Sequence, residues 1–169
     1  MTRRMITIKW IFYSLWTLLF LLAQQLVLPH IRVWGVHPFL LPAIAVIPVT
    51  LERDEGALLF SVFFGLACDL LTPVAGLPCF YALAFLVSGG LAWLLSGRVV
   101  AVGLVCSLAA AASALVVCGV LHLAVLAGSQ SVDVTAAAVL AGKEAALSLP
   151  LTVLVHYPFR RICLLTQRD

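Results

Sequence analysis

Long apolar runs, broken only by short polar joints, leave few folds open to this sequence. They cover residues 10–28, 39–51, 56–71, 77–95, 99–127 and 136–158. A helix needs about 20 apolar residues to cross roughly 30 Å of hydrocarbon, and most of these runs approach or exceed that length. Of the 169 residues, 64% are hydrophobic and 10% charged, against about 45–50% and 25% in a typical soluble domain. That is too little charge to cover a surface facing water. The expectation is an all-α integral membrane protein, a compact bundle of six transmembrane helices forming one domain over residues 1–169. The second run is short and contains Pro42 and Pro48. It crosses if its helix starts near Val33, giving a span over residues 33–51, or if the bilayer thins there; otherwise it is re-entrant.

The basic residues favour six crossings. With the N-terminus inside, Arg3, Arg4, Lys9, Arg53, Arg98, Arg160, Arg161 and Arg168 are cytoplasmic, and Arg32 alone occupies an outer loop. If the second run turned back, Arg32, Arg53, Arg98, Arg160, Arg161 and Arg168 would all lie outside, against the positive-inside rule. Both termini are therefore expected in the cytoplasm. Trp10 and Trp34 stand near proposed span ends, where interfacial aromatics gather. The first run has the basic start of a signal peptide, but Ala23 is followed by Gln24 and Gln25 and no small-x-small cleavage site appears. Cys68, Cys79, Cys106, Cys118 and Cys163 form neither a disulfide framework nor a CxxC pair, and read as small apolar residues.

Polar groups inside a bilayer are costly, so each needs a reading. Gln24, Gln25, Asp69, His122, Lys143 and Glu144 all fall in the outer half of this topology. Lys143 and Glu144 point about 100° apart and do not face each other. An ion pair between Asp69 and Lys143 is expected, because both lie at similar depth and each is costly alone. Two roles stay open for it: holding the bundle together, or lining an outward-facing cavity or partner groove. Glu144 has His122 or Gln25 as candidate partners, and His156 is expected at the inner interface. Small residues recur at four-residue spacing as Ser61, Gly65 and Asp69, then Thr72; as Gly103, Ser107 and Ala111; and as Ala138, Gly142 and Ala146. Such spacing lets helix backbones approach closely. Gly89-Gly90 is a candidate bend.

No HExxH, GxSxG or paired-aspartate motif is present, and the four His are scattered. Neither catalytic residues, nor a metal, nor a cofactor is expected, and the small basic clusters give no support to nucleic-acid binding. A substrate-capture subunit of a transporter is harder to dismiss, since six short-looped helices with a polar outer half suit one.

Residues 56–83 read GALLFSVFFGLACDLLTPVAGLPCFYAL. This segment resembles the rod-shape-determining MreD family, whose pattern is roughly G, then G-L-x-x-D-L, a short polar turn, a Gly and A-L. The matching positions are Gly56, Gly65-Leu66, Asp69-Leu70, Gly76 and Ala82-Leu83. Gly76 follows Asp69 by one residue fewer than the pattern. Length, six spans and basic ends agree in outline. The resemblance implies a non-enzymatic inner-membrane subunit of the cell-elongation machinery. It would bind an MreC-like scaffold protein and, through it, join actin-like MreB, a SEDS-type glycan polymerase and a penicillin-binding transpeptidase in peptidoglycan synthesis. It also implies a fold similar to the substrate-capture subunits of energy-coupling-factor vitamin transporters. On this reading Asp69, Thr72, Gly76, Lys143 and Glu144 are partner-binding or bundle-stabilising, and Gly65, Gly103, Ser107 and Gly142 pack helices.

Overall fold

A computed structural model of the chain describes residues 3–72, 78–98, 103–128 and 134–167. Among these residues the fold is all-helical. α1 is Arg3–Leu26, α2 Leu41–Glu52, α3 Glu55–Leu71, α4 Phe80–Arg98, α5 Leu104–Gly128 and α6 Val134–Gln167, with a short 3-10 turn at Leu28–His30. Three stretches, Ile6–His30, Leu104–Gly128 and Thr135–Leu165, are long and apolar enough to cross a membrane. Leu70, Tyr157, Val105, Phe63 and Leu154 lie more than 60% exposed on the outside of the bundle. An outer surface of this kind is disfavoured in water and suits hydrocarbon, consistent with a membrane helical bundle.

α2 is the centre of the bundle. It touches each of the other five helices, and its residues from Leu41 to Leu51 are all buried. A helix that is apolar all round has no face for water and must be enclosed. α2 has 12 residues, about 18 Å at 1.5 Å per residue, and its ends are held by Gln24 and Ser148 on one side and by Lys9 on the other.

Of the readings open for this run, a helix beginning near Val33 does not form: α2 begins at Leu41. Residues 33–36 form a tight reversal. The Val33 N–H bonds the Val36 carbonyl, the Val36 N–H bonds the Val33 carbonyl, and Trp34 and Gly35 take positive φ of 55° and 79°. Two such residues in succession make the turn that joins antiparallel strands, and a helix cannot run through it. Gln24 then pins the chain before α2. Its Nε2 donates to the Pro38 carbonyl at 3.1 Å and its Oε1 accepts the Leu40 N–H at 2.9 Å. The Phe39 N–H reaches Ser148 Oγ on α6 at 2.7 Å.

α2 stops at Arg53, which takes a left-handed φ of 55° and returns its N–H to the Val49 carbonyl. The Arg53 guanidinium also donates to the Ser96 carbonyl on α4. Asp54 caps α3, its Oδ1 accepting the Ala57 N–H at 2.8 Å.

Candidate functional site

The residues singled out in the sequence fall into two places. The first is the junction of α3 and α4. A helix begins with N–H groups that have no partner within the helix and carry partial positive charge. The residue before α4, Cys79, has a positive φ of 64°, so the usual capping geometry is lost. Asp69 supplies the cap from the neighbouring helix. Its Oδ1 accepts the Tyr81 N–H at 2.9 Å and its Oδ2 the Ala82 N–H at 3.0 Å. An anion held by two amides at a helix N-terminus is satisfied without a lysine.

Gly65, one turn before Asp69, makes that approach possible. A Cβ there would lie 2.6 Å from the Ala82 Cα and 2.7 Å from the Tyr81 carbonyl oxygen. One turn on, Thr72 closes α3: its hydroxyl and its N–H both donate to the Cys68 carbonyl. Gly76 lies outside the described residues.

The expected Asp69–Lys143 ion pair does not form. α3 and α6 are not neighbours in the bundle, both carboxylate oxygens of Asp69 are occupied, and Lys143 is exposed. Asp69 instead ties α3 to the start of α4.

The second place is a cavity of about 230 Å³ between α4, α5 and α6. Phe39, Phe80, Tyr81, His122 and Glu144 are among the residues that line it. His122 meets the Phe80 ring edge to face at 5.9 Å. Glu144 is half-buried, within electrostatic reach of His122 and His37. Of the two partners the sequence offered Glu144, His122 shares this cavity and Gln25 does not line it.

The small-residue stripes divide. Ser107 is fully buried and joins three helices: its Oγ lies 3.1 Å from Thr50 Oγ1 on α2 and 2.9 Å from His156 Nδ1 on α6. Beside Gly103 and Gly142 there is nothing within 4 Å of a would-be Cβ, so neither marks a close helix contact. His156 is 1% exposed and belongs to the core, not to the interface where the sequence placed it. Its apolar neighbours on α6 gave no sign that Ser107 waited opposite.

One feature went unread in the sequence. Lys9 Nζ lies 2.7 Å from Glu52 Oε2, with both side chains under 10% exposed. The Tyr13 hydroxyl donates to Glu52 Oε1 at 2.8 Å and approaches the Phe159 carbonyl at 3.4 Å. It is the only ion pair among the described residues. In the sequence Lys9 reads only as a cytoplasmic charge, although Lys9 and Tyr13 stand one helical turn apart on a face that Thr17 continues. Comparison with protein-family models, curated proteins and solved structures finds no match to the chain.

Proposed function

We propose that the chain is a non-enzymatic subunit of the bacterial cell-elongation machinery, related to MreD, which holds an MreC-like scaffold protein in the cytoplasmic membrane. Carrying this reading is the way the motif residues meet: Gly65 and Asp69 on α3 and Ala82 on α4 share one helix junction. A motif of that kind is what a fold-specifying signature should be. On this reading the chain crosses the membrane six times with both termini in the cytoplasm, and the scaffold's transmembrane helix lies against the bundle.

The spacing of polar groups supports such a frame. Lys143 and Arg160 bracket a stretch of α6 about 26 Å long at 1.5 Å per residue, close to the thickness of the hydrocarbon. Lys143 then belongs to the outer interface, where a lysine can snorkel to water and needs no acidic partner.

Depletion in the native host tests the proposal. Cells should lose rod shape, and tagged protein should carry down the MreC-like scaffold. Retained rods together with no captured scaffold would overturn it. Asp69→Leu would report on folding, so the exposed Leu70 and Leu71 are better probes of the interface. The cavity beside Glu144 favours a second reading, a capture subunit for a vitamin-like small molecule, resembling those of energy-coupling-factor transporters. That reading requires a ligand retained in detergent and an ATPase partner.

A further inference from the structure

A furrow of about 490 Å³ runs between the first four turns of α1 and the C-terminal third of α6. Its lining includes Ile8, Phe12, Trp16, Tyr157, Arg161 and Leu165. The volume lies within the roughly 300–1,000 Å³ of sites for small organic ligands. Among the described residues no acidic side chain lines the furrow, and Arg161 is the one cation. The only ion pair among the described residues is Lys9–Glu52, so no described acid pairs with Arg161. Ile8, Phe12, Tyr157 and Leu165 are 41%, 48%, 73% and 61% exposed, leaving a continuous apolar wall beside that charge. Tyr157, one turn before Arg161, brings an amphipathic ring of the kind that collects near headgroup level.

We propose that this furrow holds one anionic phospholipid of the leaflet nearest the chain termini. Its phosphate rests on the Arg161 guanidinium, and an acyl chain runs past Phe12, Trp16 and Tyr157. Charge complementarity selects the occupant: an apolar slot with a single uncompensated cation matches a lipid bearing net negative charge better than a zwitterionic one. Basic pockets between transmembrane helices recognise acidic headgroups in this way. The inference is independent of the scaffold-binding role.

Native mass spectrometry of the full-length protein tests it after exchange into phosphatidylglycerol or phosphatidylcholine with identical acyl chains. The wild type should retain one phosphatidylglycerol in preference by about fivefold, the effect of one basic residue at an anionic surface. Arg161→Gln should abolish the preference, whereas Arg161→Lys should keep most of it and also shows whether the site tolerates substitution. Arg32→Gln, in the loop after α1, should leave it intact. Equal retention of both lipids by the wild type, or an unchanged preference in Arg161→Gln, would overturn the proposal. A photo-crosslinker at Tyr157 that captures protein and no lipid in native membranes would also overturn it.

Discussion

Replacing Gly65 with alanine should part α3 from α4 and release Asp69 in the same movement. The added Cβ would stand 2.6 Å from the Ala82 Cα and 2.8 Å from its nitrogen. These are backbone atoms, so no side chain can swing aside. Ordinary contact begins at 3.4 Å, so the helices must separate by about 0.8 Å; overpacking of this kind costs about 1–3 kcal/mol. The same shift would stretch the two Asp69 bonds from 2.9 and 3.0 Å to about 3.7 and 3.8 Å, beyond hydrogen-bonding range. Bonds to a charged group contribute about 1.5–3 kcal/mol each, less here because Asp69 is only partly buried and water can reach it. Gly65→Ala should therefore cost about 3–5 kcal/mol, and Asp69→Ala about 2–4 kcal/mol. Because the first substitution already breaks what the second removes, the double variant should fall short of additivity by about 1.5–3 kcal/mol. Unfolding in mixed micelles of increasing SDS content, followed by circular dichroism, gives all three values. Strict additivity would refute the idea that Gly65 and Asp69 act on one junction.

Three further outcomes follow from the buried contacts. Lys9→Met should destabilise by about 3–5 kcal/mol, because it strands the Glu52 carboxylate inside protein, and adding Glu52→Leu should recover much of the loss in the same assay. Ser107→Ala should cost about 1–3 kcal/mol by leaving Thr50 and His156 without their shared partner, read as a lower thermal midpoint in detergent. Gly142→Ala should be neutral or stabilising by up to about 1 kcal/mol, since open space surrounds it and alanine stiffens a helix; a marked drop in the midpoint would mean that α6 meets a neighbour there.

Much of the bundle was legible in the chain. Long apolar runs dictate helices, because every backbone group must be bonded internally in hydrocarbon, and three of those described are long enough to cross a membrane. The polar joints between the runs set where helices end, and the Asp54 cap and the Pro-rich start of α2 are local features. The G-L-x-x-D-L segment was visible as a motif, with Asp69 correctly marked as a residue needing a partner.

Which groups meet was decided elsewhere. Similar depth and the cost of a lone charge suggest Lys143 as the partner of Asp69, but α3 lies beside α4 and away from α6, and two backbone amides answer the carboxylate instead. Backbone donors occur at every helix start and leave no mark in residue identity. The small-residue stripes fail for a related reason: in an Ala-rich helix the spacing recurs on several faces, and Gly65 and Ser107 face neighbours while Gly142 faces outward. Lys9 and Glu52, 43 residues apart, are joined because α1 and α2 are in contact. A helix's length and polarity are local properties of its sequence, whereas the angle at which one helix presents itself to another is settled only when the other five pack around α2.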